Sequence, residues 1–224
     1  MRGPLREYSP AAVAWITSLE IFFMLGVGPL AGLLFDAYGS RWLMLLGSCM
    51  HVFGLMMASI SSEYYQFLLS QGVCSAIGAS LIITPAMSCI STWFLKKRGM
   101  AIGLAAAGSS LGGVLFPVIV SRMLLQVGFP WAMRTCAFLI LGMMVFANIF
   151  LESRIPPSPR PFTIMQFIRP LSEVPMMLTA IAAFFFFWGM TPVIGFITAV
   201  ATGQGMSLEL AQYLVSIYNA GSIL

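Results

Sequence analysis

Charge is what this sequence has least of. Only 8% of its 224 residues are charged and 59% are apolar, whereas a soluble domain carries about 25% charged residues. So few charges do not cover a water-facing surface of this size. The composition therefore excludes an ordinary soluble domain and predicts an all-α membrane protein whose main partner is the lipid bilayer.

The sequence also lacks the patterns of enzymes and metal proteins. Its four cysteines all fall inside apolar runs, without metal-ligand or disulfide spacing. No nucleophile–histidine–acid arrangement is present, and the glycine-rich stretch 103–113 lies within an apolar run and follows no strand, so a nucleotide-binding loop is excluded. The net charge of +4 comes from clusters in connecting segments, which does not indicate nucleic acid. We predict no enzymatic activity, no metal and no cofactor.

What the sequence has instead is a series of long apolar runs. A helix needs about 20 apolar residues to cross a bilayer, and these runs are too long and uniform for barrel strands. They predict six full transmembrane helices and a partial seventh that begins near residue 208. The six runs are 12–34, 42–60, 65–90, 100–121, 131–151 and 177–201.

The connecting segments alternate between basic and nearly neutral. Positive residues favour the cytoplasmic face, so the basic connectors predict a multi-pass protein, assigned to the plasma membrane, with these loops in the cytoplasm. The longest connector is rich in proline and predicts a cytoplasmic linker over 152–174. It separates an N-terminal bundle, 1–151, from the start of a C-terminal bundle, 175–224. The basic residues are Arg41, Lys96, Lys97, Arg98, Arg154, Arg160 and Arg169.

This orientation places the N-terminus outside, which Arg2 and Arg6 oppose. A further helix before residue 1 would remove the conflict, and the last run stops while it is still apolar. The sequence thus predicts a chain truncated at both ends, one that lacks the first helix of its bundle. We expect the 224-residue chain alone not to transport.

One loop signature resembles a known family. Gly32, Asp36, Gly39, Ser40 and Arg41 are spaced as in the loop after the second helix of the major facilitator superfamily. The resemblance implies that Asp36 and Arg41 take part in a cytoplasmic gate, with the carboxylate meeting the N-terminus of a neighbouring helix in one of two states. The alternative is a loop that only fixes topology.

Three further stretches resemble the fourth to sixth helices of monocarboxylate-porter-like members, particularly fungal ones. The sequence departs from the family pattern in two ways. Sequence corresponding to the family's first helix and to most of its second half is absent, and Leu68 replaces an arginine of the fourth helix. The resemblance implies alternating-access movement of a small organic acid or fungal metabolite, with proton coupling left open. The matching stretches are 93–103, 107–113 and 128–134.

Three polar residues inside the predicted spans are candidates for substrate or proton handling. Glu20 is costly in the membrane, so it is expected to face the bundle interior; the alternative is a polar residue near the outer rim. His51 suits a proton relay because imidazole changes charge near neutral pH, or it is structural. Arg134 beside Trp131 either anchors the outer interface or steers anions.

Small residues form a stripe along the fifth predicted span. At helical spacing they share one face and favour close helix packing. The run of aromatic residues 184–188 is expected to face lipid, and Gly189, Pro192 and Gly195, which follow it, are expected to break the same helix near the midplane of the membrane. The stripe consists of Ala105, Gly108, Ser109, Gly112 and Gly113, preceded by Ala101.

A second hypothesis is that the chain lies in the membrane but does not itself transport a substrate. In it the chain is a non-transporting protein that pairs with another carrier, which covers its exposed small-residue and polar surfaces. Co-purification with a full-length carrier would favour this alternative.

Overall fold

The computed structural model describes residues 5, 8–154, 156, 158 and 172–221, with backbone alone for residues 10, 191–195, 208, 209 and 212. Within this part the regular secondary structure is entirely helical, which confirms the all-α prediction. The helices are α1 (Pro10–Gly26), α2 (Gly28–Tyr38), α3 (Ser40–Ile60), α4 (Tyr64–Trp93), α5 (Arg98–Gln126), α6 (Phe129–Phe150), α7 (Val174–Gly203) and α8 (Leu208–Gly221).

Five described segments are long and apolar enough to cross a membrane: α1 with α2, then α3, α4, α5 and α6. The sixth predicted run is α7, whose described apolar part is Val174–Met190, and the partial seventh is α8. Helix α7 passes through residues 189–195 without interruption, so the predicted break there is wrong. The greater part of the predicted linker, including Arg160 and Arg169, lies outside the described residues, as do Arg2 and Arg6. The linker boundaries stay a prediction.

The first predicted span, 12–34, is a bent helix rather than a straight one. Ser9 caps its start, since its Oγ accepts from the Ala12 N–H at 3.2 Å. The bend lies at Val27, between α1 and α2. Pro29 has no N–H to donate to a carbonyl one turn earlier, and this loss bends a helix.

Helix α4 contains a wide π segment, Leu68–Ser75, between two regular α-helical parts. The start of α4 is capped by Gln66, whose Oε1 accepts from the backbone N–H groups of Ser62 and Glu63 at 2.9 and 3.2 Å. Such segments are rare and occur mainly as single wide turns, frequently at functional sites. In this chain the segment faces α1 on one side and α3 on the other.

Helix α3 packs against both α4 and α6. Its close approach to α4 depends on three glycines. A Cβ built on Gly78 would lie 2.5 Å from the His51 backbone nitrogen and 2.8 Å from the Gly47 carbonyl oxygen. A Cβ on Gly54 would lie 2.6 Å from the Ser70 carbonyl oxygen. Glycine permits this backbone contact between membrane helices.

Two helix turns use the same glycine geometry. Gly39, between α2 and α3, has φ 81° and ψ −177°, and Gly128, before α6, has φ 81° and ψ 173°. This region of backbone space is essentially restricted to glycine. Both residues therefore fix the direction in which the next helix leaves its turn.

The two C-terminal helices are attached through α5. Helix α8 packs against α5, and α7 packs against α8. The Asn219 Nδ2 donates to the Gly113 carbonyl oxygen at 3.4 Å, and the Ser216 Oγ donates to that of Val114 at 3.4 Å. The aromatic run of α7, from Phe184 to Trp188, is exposed along its length, as a lipid-facing surface would be.

Candidate functional site

Glu20 is placed against the π segment of α4. The side-chain amide Nε2 of Gln71 lies 3.5 Å from Glu20 Oε2, and the acid is only partly exposed. Helix α1 comes close to the segment here because Gly72 has no side chain: a Cβ at that position would lie 3.4 Å from the Ile16 carbonyl oxygen. The predicted interior acid thus has a specific polar partner.

His51 lies on the other side of the same segment. Its Nδ1 is 2.9 Å from Ser75 Oγ and 3.1 Å from the Ser75 carbonyl oxygen. No partner for this histidine could be identified from the sequence, and the structure places Ser75 beside it at the C-terminal end of the π segment. Glu20 and His51 are therefore each paired to the segment, on different helices.

Arg134 is held near the end of α3. Its Nε donates to Ser59 Oγ at 3.3 Å, and its guanidinium lies 5.2 Å from the centre of the Trp131 ring. A guanidinium over an aromatic face is attracted by the ring quadrupole. This geometry anchors α6 to α3; the anion-steering role stays a prediction.

The loop signature lies at the turn between α2 and α3. The Ser158 N–H donates to the Asp36 backbone carbonyl oxygen at 2.9 Å, while the Asp36 and Arg41 side chains are exposed. Gly39 makes the turn and donates its N–H to Phe35 at 2.8 Å. The turn thus holds a residue from the segment that follows α6.

Trp93, at the end of α4, fixes the same segment. Its Nε1 donates to the Glu152 carbonyl oxygen at 2.8 Å, and the Arg154 guanidinium lies 5.9 Å from the centre of its ring. Three parts of the chain therefore meet at one end of the bundle: the α2–α3 turn, the end of α4, and residues 152, 154 and 158 of the segment after α6.

The small-residue stripe of α5 makes one close contact in the described structure. A Cβ on Gly113 would lie 2.5 Å from Asn219, whereas nothing lies within 4 Å of the corresponding position on Gly108. Ser109 is exposed, Ala105 is half-buried, and Gly112 has only Phe116 of its own helix nearby. The neighbour of Gly113 is a side chain, whereas the close approach of main chain to main chain lies between α3 and α4.

The profile of the Major Facilitator Superfamily matches residues 5–224. The chain belongs to the major facilitator superfamily. It is accordingly an integral, multi-pass membrane protein of a transporter family and not an enzyme. The predicted resemblance is confirmed at the level of the superfamily.

Individual members of the superfamily are similar over nearly the whole chain. MFS-type transporter 1 of an Ophiocordyceps species is 53% identical over 98% of this chain and 49% of its own length. The fujikurins efflux protein of Gibberella fujikuroi is 48% identical over 99% of this chain and 48% of its own length. The aspyridones efflux protein of Emericella nidulans is 37% identical over 97% of this chain and 44% of its own length. The chain spans about half the length of these curated relatives.

Gly39 allows a direct test of the superfamily loop. Gly39→Ala places a Cβ at φ 81°, so we expect the free energy of unfolding to fall by about 1–3 kcal/mol. Thermal unfolding of the purified chain in detergent would measure it. Gly99→Ala, at a helix start with no heavy atom within 4 Å, is the matched control. Equal midpoints for both variants would contradict the conformational role of Gly39.

Proposed function

We propose that this chain forms the substrate-handling bundle of a carrier that exports a small organic metabolite by alternating access. The support comes from relatives whose names describe efflux of fujikurins and aspyridones. A small organic acid is the substrate class that the monocarboxylate-porter resemblance adds. The basic loops would lie in the cytoplasm, with the protein in the plasma membrane.

The observation that carries this proposal is the pair formed by Glu20 and Gln71 at the π segment. An ionisable residue within a membrane span is costly to place and marks a functional position by default. Its amide partner lies on the one part of α4 that departs from regular helix. We assign substrate or proton handling to Glu20, with His51 of α3, which contacts the same segment through Ser75, as a second group.

The turn between α2 and α3 supplies the proposed gate. Asp36 and Arg41 present exposed charged side chains at the end of the bundle, and Gly39 makes the turn between them at φ 81°. Gly32 lies one turn before Asp36 in α2. A carboxylate here can accept from the N-terminus of a neighbouring helix in one state and lose that contact in the other. The backbone contact from Ser158 would keep the turn in place meanwhile.

A chimera tests the proposal. This chain would replace the matching segment of the fujikurins efflux protein, to which it is 48% identical, and export of fujikurins would be measured in cells and in vesicles. We expect saturable export by the chimera and none by the 224-residue chain alone. A chimera that reaches the membrane, is folded and exports nothing would refute the proposal. Robust flux through the chain alone would refute our expectation that it cannot transport by itself.

The exposed stripe of α5 favours a second candidate, a partner subunit for another carrier. Gly108 has open space around it, and Ser109 is exposed on the same helix. Small residues of this kind permit close approach by a second membrane helix. Cysteine crosslinking from position 108 to a co-expressed full-length carrier, with position 142 on α6 as the control, would distinguish this candidate from a self-contained bundle.

A further inference from the structure

Arg41 lies on two adjoining grooves. The first, here called the turn groove, has a volume of about 390 Å³ and is lined by residues around the α2–α3 turn and by Glu152, Arg154 and Pro156. The second, the α3–α6 groove, has a volume of about 420 Å³ and runs between those two helices. Both volumes fall in the roughly 300–1,000 Å³ range of ligand pockets.

The turn groove has a mixed polar and apolar lining and carries two guanidinium groups. Arg41 and Arg154 both line it, together with one acid, Glu152. The Glu152 backbone is fixed by Trp93, over whose ring Arg154 also lies. Two arginines that line one groove suit a phosphate group, because guanidinium forks bind its oxygens in pairs.

The α3–α6 groove is apolar over most of its length. Its walls are formed by Leu45 of α3 and by Leu141, Val145 and Ile149 of α6, all of which are exposed in the folded chain. In a membrane these side chains face hydrocarbon. A polar pair also lines this groove, where Asn148 Nδ2 donates to Ser48 Oγ at 3.0 Å.

Interfacial aromatic residues flank the junction of the two grooves. Tyr38 and Trp42 line the turn groove and are 65% and 72% exposed. Tyrosine and tryptophan concentrate at the level of lipid headgroups. The junction at Arg41 is thus placed where the polar and apolar parts of a lipid molecule meet.

We propose that the two grooves together form a binding site for one anionic glycerophospholipid. Its headgroup phosphate contacts Arg41 and Arg154 in the turn groove, and an acyl chain occupies the α3–α6 groove. A free phosphate would occupy only the turn groove. A zwitterionic lipid has no net negative charge, so two guanidinium groups attract it less strongly than they attract an anionic lipid. The inference rests on the cytoplasmic placement of this face in the proposed function, where anionic lipids supply a negative surface. It does not rest on transport.

The site can be tested on the purified chain by native mass spectrometry. The chain in detergent micelles would be titrated with phosphatidylserine and with phosphatidylcholine of the same acyl chains. We expect phosphatidylserine to bind about tenfold more tightly. Arg41→Gln should bring the ratio of the two affinities close to one, and so should Arg154→Gln. Arg122→Gln, an exposed arginine near the opposite end of α5, is the matched control and should leave the ratio unchanged.

A second variant addresses the apolar half. Val145→Trp fills the α3–α6 groove without touching either arginine, so it should weaken both lipids by a similar factor. Water-soluble glycerophosphoserine should fail to displace the bound lipid. Equal affinity of the wild-type chain for the two lipids would overturn the proposal. It would also be overturned if Arg41→Gln and Arg122→Gln reduced the ratio of the two affinities by the same factor. Full displacement by glycerophosphoserine would reduce the site to one for a free anion. None of these readouts depends on export.

Discussion

Gly78→Ala is expected to lower the free energy of unfolding by about 3 kcal/mol, the upper part of the range for overpacked cores. The new methyl group would lie 2.5 Å from the His51 backbone nitrogen and 2.8 Å from the Gly47 carbonyl oxygen. Both neighbours are main-chain atoms of α3, so neither can rotate away. Helices α3 and α4 must separate, and the loss extends to the pairing of His51 with Ser75.

Thiol reactivity during heating would measure this change. Cys89 and Cys136 are buried and Cys49 is exposed, so a thiol-reactive fluorophore reports unfolding as the two buried groups become accessible. For a chain of this size, about 3 kcal/mol corresponds to a midpoint roughly 6–12 °C lower. Gly103→Ala, where nothing lies within 4 Å, is the control and should not lower the midpoint. A midpoint for Gly78→Ala equal to that of Gly103→Ala would contradict the close main-chain contact between α3 and α4 at Gly78.

Glu20→Gln in the chimera is expected to reduce export by roughly tenfold or more, equivalent to about 1.4 kcal/mol or more in the rate-limiting barrier. The amide keeps the size of the side chain and can still bond to Gln71, but it can neither carry a charge nor transfer a proton. Export by the variant should therefore also lose the part of its pH dependence that this carboxyl supplies. Initial rates in vesicles, measured across a series of external pH values, would test both effects.

The control for Glu20 is Glu63→Gln, the same chemical change at an exposed position before α4. It should leave the rates and their pH dependence unchanged. A purely structural role for Glu20 predicts a different pattern, in which the unfolding midpoint and the amount of protein in the membrane fall together with export. Unchanged rates and pH dependence in Glu20→Gln would remove Glu20 from the mechanism.

Hydropathy was sufficient to predict where the membrane helices lie. Their cores fall within the predicted runs because the cost of placing polar backbone in hydrocarbon leaves helix as the available structure. The bend at Val27 could have been predicted from the sequence, since Pro29 follows Gly26 and Gly28. Hydropathy does not reveal this bend, because residues 12–34 are apolar throughout and a hydropathy value contains no information on a lost backbone hydrogen bond.

The tertiary contacts were less predictable. Gly47, Gly54 and Gly78 carry the closest helix crossing, although the denser stripe on α5 gave the stronger pattern. Small residues permit close approach, but the partner helix decides which of them are used. The π segment has no sequence signature of its own, so the pairing of Glu20 with Gln71 could not be foreseen. The Ser158 contact joins residues far apart in the chain and follows only from the folded arrangement.

The shared conformation of Gly39 and Gly128 has an evolutionary consequence. An odd number of crossings separates these two glycines, so the same corner occurs on opposite sides of the bilayer, each time just ahead of a helix that packs in the bundle. Carriers of this superfamily contain three-helix units related by inversion. We expect the two corners to occupy corresponding positions in two such units, as an inverted duplication would leave them.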